Sequence, residues 1–169
     1  MHLNVEIKAK CNNPDKIREI LKSKNAENKG IDYQIDTYFK INFGRLKLRE
    51  GNIENYLIYY SRENKKNPKD SHVLLFKSDQ KSNLKEILAK SLGILTVVDK
   101  KREIYFIENV KVHIDDVVNL GNFVEIEAID YEGNIRKDEL LKQCNYYLNL
   151  FNISKEDLID VSYSDLLLK

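Results

Sequence analysis

The chain has 169 residues, about the length of one domain, which is enough to bury a single core. Apolar residues make up 42% of it, which excludes a disordered chain, while a charged fraction of 33% exceeds the usual quarter and requires those charges to be housed somewhere. Lys and Arg total 28 against 27 Asp and Glu, and the formal net charge of +1 excludes an overall field that would draw in nucleic acid or an anionic membrane. Residues 3–10 then alternate strictly, with Leu3, Val5, Ile7 and Ala9 on one face and Asn4, Glu6, Lys8 and Lys10 on the other, which predicts a strand. Asn13 offers an N-cap and Pro14 a first helical position for an amphipathic helix carrying Ile17, Ile20 and Leu21 and ending near Lys24. Residues 33–41, 44–49 and 56–62 predict three further strands, separated by Asn-Phe-Gly and Gly-Asn-Ile-Glu-Asn turn chemistry. Residues 63–70, with Lys65, Lys66, Asn67 and Pro68, read as an exposed loop before a short strand at 72–76.

From Ser82 onward Leu84, Ile87, Leu88 and Leu92 fall on one helical face, and Gly93 closes that helix. Strands resume at 96–107, 110–117 and 122–129, the last two joined through Asn119 and Gly121. Residues 137–151 carry a helical stripe of Leu140, Leu141, Cys144, Tyr147, Leu148 and Phe151, and shorter helical pieces follow near Leu158 and Leu166. About eight strands lying mainly as antiparallel neighbours, with three or more helices, predict an α+β fold dominated by antiparallel β-sheet. Nothing divides residues 1–169, so a single domain is expected. Cys11 and Cys144 are too few for a disulfide framework and stand in no metal or redox spacing. No signal-like start and no apolar run of spanning length occur, which points to a cytoplasmic protein without a membrane partner.

Residues two apart on a strand share a face, so sequence spacing becomes surface chemistry. Arg45, Lys47 and Arg49 share one face against Leu46 and Leu48. Lys100 pairs with Arg102, Asp115 with His113, and Glu125 with Glu127, the last two opposite Val124, Ile126 and Ala128. An open sheet with its charges in water is common, but a water-facing sheet usually mixes Thr, Ser and Gln instead of an Arg-Lys-Arg row and a Glu-x-Glu pair. Closing about eight strands into a barrel would gather those charges in a lumen with the apolar faces outside, covered by helices. Such a lumen suits a phosphate chain, which neutralises the basic rows, and a hard cation such as Mg²⁺ or Mn²⁺, which relieves converging carboxylates. The lack of a Cys/His cluster argues against zinc.

The motifs Asn4-Val-Glu-Ile-Lys8, Asp36-Thr-Tyr-Phe39, Arg45-Leu-Lys-Leu-Arg49, Lys100-Lys-Arg102, His113-Ile-Asp115 and Leu120-Gly-Asn-Phe-Val-Glu-Ile-Glu127, in this order, resemble the CYTH family. That superfamily of triphosphate tunnel metalloenzymes includes class IV adenylyl cyclases and thiamine triphosphatases, and the ending Ser162-Tyr-Ser-Asp-Leu-Leu167 is similar to the cyclase-like branch. The resemblance implies a closed β-tunnel in which Lys8, Arg45, Lys47, Arg49, Lys100 and Arg102 bind phosphate oxygens. It also implies that Glu6, Glu125 and Glu127, with Asp115 nearby, hold Mg²⁺ or Mn²⁺. Asn4 departs from the family's Glu-x-Glu-x-Lys, replacing a charged ligand with an amide, and Tyr60 stands near where related sequences often carry a lysine. The expected function is a metal-dependent reaction on ATP or another triphosphate, with cyclisation of ATP to cyclic AMP and pyrophosphate leading. Hydrolysis of inorganic or thiamine triphosphate is the alternative enzyme reading, and a module that binds nucleotide or polyphosphate without turnover is the third. No catalytic residue is assigned.

Overall fold

The computed structural model describes residues 2–62 and 69–169, with side chains described at 4–61 and 73–169. Lys65, Lys66 and most of the expected 63–70 loop, with the side chains of His2 and His72, lie outside the described residues. Eight antiparallel strands run β1 (His2–Lys10), β2 (Glu27–Phe39), β3 (Arg45–Glu50), β4 (Asn55–Arg62), β5 (Lys69–Lys77), β6 (Ile94–Ile107), β7 (Val110–Val117) and β8 (Gly121–Asp130). They close in the order β1-β5-β4-β3-β2-β6-β7-β8, since β1 pairs with both β5 and β8. The expected closed α+β barrel is present. Strand β2 starts at Glu27, six residues before the expected 33, because the Asn28–Gly30 turn chemistry is absorbed as a register shift against β6.

Four α-helices lie outside or at one end: α1 (Pro14–Ser23), α2 (Leu84–Leu92), α3 (Lys137–Leu150) and α4 (Tyr163–Leu167). Asn13 caps α1 by accepting the Lys16 N–H at 3.1 Å, and Pro14 fills its first turn. Ile17 and Leu21 of α1, with Leu140, Cys144 and Tyr147 of α3, cover the outward faces of β1, β7 and β8, where Val5, Ile7, Val112, Val124 and Ile126 stand. This alternation of apolar outward and polar inward residues turns a half-buried sheet into a barrel with a charged interior. The stripe of α2 buries no residue fully, although Gly93 ends that helix at φ 77 as its position required. Both cysteines are free and buried.

The two barrel ends differ. Chain segment 158–159 returns to β1, where Ile159 N–H donates to the Lys8 carbonyl, and this brings α4 to the end at which β1 finishes. There Tyr163 joins Tyr38, Val98, Val117 and Phe123 in an apolar plug inside the barrel. The opposite end, where β1 begins and the β3–β4 and β6–β7 turns lie, is open.

Candidate functional site in the barrel lumen

The lumen holds a cavity of about 350 Å³, the size of a small-ligand site. Its lining includes Lys8, Lys47, Arg49, Lys100 and Arg102 together with Glu6, Glu125 and Glu127, contributed by β1, β3, β6 and β8. Two residues expected with them stand off that lining. Arg45 is drawn to the plugged end by Asp165 of α4, at 2.7 Å, and Asp115 lies fully buried behind Arg102. Asp165 also accepts the Ser162 backbone N–H at 3.0 Å, closing a capping box that holds it in place.

The basic wall is organised by one acid. The Asp36 carboxylate accepts from Lys47 at 2.7 Å, from Lys100 at 2.7 Å and from both Arg49 Nε and Nη2 at 2.8 and 2.9 Å. Burial alone would raise this carboxyl, yet Arg49, Lys100 and Lys47 together hold it well below the usual carboxylate range. Three cations sharing one carboxylate leave positive charge in excess, and Lys100 shows the consequence. Burial, with repulsion from Arg49 and Arg102, lowers its ammonium to about 7 against the pull of Asp36. Arg49 gains a second acid in Glu54 at 2.8 Å, and Glu54 also accepts from Lys111 of β7 at 2.6 Å. Glu54 is positioned from below: Asp32 accepts the Ile53 and Glu54 backbone N–H groups at 2.8 and 3.0 Å, tying the β3–β4 turn to the barrel.

The acidic side gathers on β1, β7 and β8. Glu125 meets Lys8 at 2.9 Å, Arg102 at 2.8 Å and His113 Nδ1 at 3.3 Å. Burial would raise Glu125, but Lys8 and Arg102 keep it well below its ordinary range. Burial together with Arg102 and Lys111 pushes His113 down to about 4, so its ring is neutral near pH 7. Arg102 also forms a forked bond to Asp115 at 2.6 and 2.5 Å, and Asp115 accepts the Tyr163 hydroxyl at 2.8 Å. Tyr163 lies beneath Lys8, whose ammonium is 3.7 Å from the ring centre.

For a metal, the informative atoms are oxygens. Glu6 and Glu127 are directly opposite across the β1–β8 ladder, and Asn4 donates its Nδ2 to Glu127 Oε1. The Asn4 Oδ1 is buried and, among the described residues, accepts no hydrogen bond. An uncommitted amide oxygen beside two lining carboxylates fits a hard divalent cation, which binds through one or two carboxylates, waters and substrate phosphates. Among the described residues no three His, Cys, Asp or Glu side chains converge as a ready-made metal cage, so phosphate oxygens and water would complete the shell.

Lys111 and Glu54 were not among the expected site residues. Lys111 shares the strand face of His113 and Asp115, so period-two reasoning reaches it. Glu54 lies in a turn, where no periodicity marks which way a side chain points.

An eight-stranded antiparallel tunnel with basic and acidic walls defines the class of triphosphate tunnel proteins. The chain belongs to the CYTH family, whose domain matches residues 2–163; this is a metal-dependent family that binds triphosphates in its tunnel. Among its relatives is the Methanocaldococcus jannaschii protein MJ0240, provisionally named an adenylate cyclase, 31% identical over 97% of this chain and 98% of that one. The PH1012 protein of Pyrococcus horikoshii shares the fold at a TM-score of 0.82 with 25% identity, covering 98% of this chain and 99% of the other. The Hippeastrum protein HpAC1, described as having a dominant triphosphatase activity, shares it at a TM-score of 0.62 with 12% identity over 99% and 94% of the two chains. Among the described residues no helix is long and apolar enough to cross a membrane.

Proposed function

We propose that residues 1–169 act as one triphosphate tunnel domain that binds ATP with Mg²⁺ or Mn²⁺ and converts it to cyclic AMP and pyrophosphate, in the manner of class IV adenylyl cyclases. The observation that carries this reading is the basic wall in which Lys47, Arg49 and Lys100 converge on the carboxylate of Asp36, with Glu54 a second partner of Arg49. A triphosphate supplies the missing negative charge there, with Arg49 and Arg102 making paired hydrogen bonds and Lys8, Lys47 and Lys100 acting as point charges. Arg45 joins them only if it leaves Asp165. Asp115 serves by orienting Arg102, and Glu6, Glu125 and Glu127, with the Asn4 Oδ1, are the groups that would hold the cation. A bound divalent cation would lower the charge on the phosphates and favour loss of the proton from the attacking hydroxyl.

In cyclisation the ribose 3′ hydroxyl gives its proton to solvent water, its oxygen forms a bond to the α-phosphorus, the bond from that phosphorus to the oxygen bridging to the β-phosphate breaks, and the electron pair leaves with pyrophosphate. Lys47, Arg49 and Lys100 stabilise the charge that develops on the leaving group. Hydrolysis at the terminal phosphorus would use the same wall, and HpAC1 is a case of this fold described with triphosphatase activity. Products separate the two readings. Incubation with ATP, inorganic triphosphate and thiamine triphosphate, each with Mg²⁺ and with Mn²⁺, is expected to give cyclic AMP and pyrophosphate from ATP. Release of inorganic phosphate without a cyclic product would replace the cyclase reading with a hydrolase. Saturable binding with no product would leave a binding module.

A further inference from the structure

The helices shield only part of the barrel's outer surface. α1 and α3 cover β1, β7 and β8, and α2 lies against β2. Along β2 the outward side chains change abruptly. Thr37 and Phe39 are 0% and 2% exposed, but Ile35, Tyr33 and Ile31 are 41%, 64% and 41% exposed. On the neighbouring strand β6, Lys100 and Arg102 point into the lumen, so Leu95, Val97, Asp99 and Lys101 point out by strand alternation. Leu95 and Val97 are 44% and 45% exposed.

Strand register joins these residues into one face. Val97 stands opposite Thr37, Asp99 opposite Ile35 and Lys101 opposite Tyr33. Ion pairs frame the face on both sides. Arg18 of α1 meets Glu103 of β6 at 2.7 Å, and Lys85 of α2 meets Glu50 of β3 at 2.6 Å. An apolar centre inside a polar rim is the anatomy of a protein interface. Its five apolar side chains leave roughly 500 Å² in water, near the upper range for a lone subunit. With Asp99, Lys101 and the framing pairs, the face approaches the roughly 800 Å² per partner of a standard interface.

We propose that the outward β2–β6 face, centred on Tyr33 and Ile35, docks a second copy of this chain in a two-fold dimer. The charges select that occupant. Asp99 and Lys101 lie two residues apart on one strand with opposite signs, so the face is complementary to itself. A two-fold axis crossing the strands between residues 99 and 101 sets β6 over β6 in opposite directions. Each Asp99 then faces Lys101 of the other copy, and each Tyr33 faces the other's Ile35. An anionic membrane would leave Asp99 and Glu103 against like charge. The dimer stands on the outer face alone and is independent of what the lumen binds.

The test is sedimentation equilibrium of the full chain from about 1 to 100 μM, beside Tyr33→Lys, Asp99→Lys and Lys101→Asp. All three side chains are exposed, so the variants should fold, and thermal unfolding checks that they do. The wild type is expected to reach twice the chain mass of 19.9 kDa. Each variant is expected to weaken the dimer at least about tenfold. An equimolar mixture of Asp99→Lys with Lys101→Asp is expected to regain it, because every facing pair is then opposite in sign. A wild type that keeps the mass of one chain throughout, a dimer indifferent to all three substitutions, or a mixture no better than its components overturns the proposal. A wild type that stays monomeric and adsorbs to phosphatidylserine vesicles overturns it in favour of a membrane surface.

Discussion

Asp36 and Asn4 show how single residues set the chemistry of each wall. Asp36 is, among the described residues, the carboxylate bonded to both Lys47 and Lys100, and its burial keeps that shared arrangement dry. Asn4 has the opposite role, since it stands where a carboxylate would face Glu127 and donates a hydrogen bond to it instead. In the metal-free protein the amide therefore relieves repulsion between neighbouring acids. Replacing Asn4 with Glu is expected to lower thermal stability in EDTA and to recover it with Mg²⁺ or Mn²⁺, because the added like charge needs a cation. Unfolding curves of the variant with and without metal check this. An unchanged midpoint in both conditions would remove Asn4 from the metal site.

At the scale of elements, strand alternation was legible wherever one strand decides both faces. Period two put Lys8, Lys47, Arg49, Lys100, Arg102, Glu125 and Glu127 on the charged faces of their strands, and closure of the barrel makes those faces the lumen, whose lining contains them. Arg45 shares that period, yet its side chain is captured by Asp165, 120 residues later in the chain. No local pattern announces such a contact. The β3–β4 turn was legible as a turn but not as the platform for Glu54, because its geometry depends on Asp32 from β2. That platform has a tight tolerance: a Cβ built on Gly51 would lie 2.5 Å from the Asp32 Oδ1. Gly51→Ala is expected to destabilise the fold by about 1–3 kcal/mol, since Asp32 is buried and bonded to Ile53, Glu54 and Gln34. Urea unfolding measures the loss, and wild-type stability would show that the turn can shift freely.

For the whole molecule, closure of the barrel converts separate strand patterns into a tunnel with a closed end and a charged middle. The strands were readable singly; the asymmetry of the ends was not, because it arises from segment 158–159 returning to β1 and bringing α4 with it. Enclosure also gives the tunnel a titration signature. Lys100 is lowered to about 7 in the free protein, so at pH 8 it is mostly neutral. A bound triphosphate raises it again. Binding is thus expected to take up as much as one proton at pH 8, and affinity is expected to fall as pH rises from 7 to 9. Titrations in buffers of different ionisation enthalpy measure the uptake, and a heat independent of buffer at pH 8 would contradict a depressed Lys100.

The central claim is that a triphosphate binds inside the barrel, on the basic wall. Lys100 and Lys101 are adjacent on β6, one buried in the lumen and the other exposed outside, so they differ in the side they face and not in charge. Titrating ATP with Mg²⁺ into the wild type, Lys100→Met and Lys101→Met at pH 6.5 and fixed salt compares the two directly. The account predicts one saturable site, weakened at least about tenfold by Lys100→Met and by less than about twofold by Lys101→Met. Equal losses in the two variants, or no binding by the wild type, would contradict it.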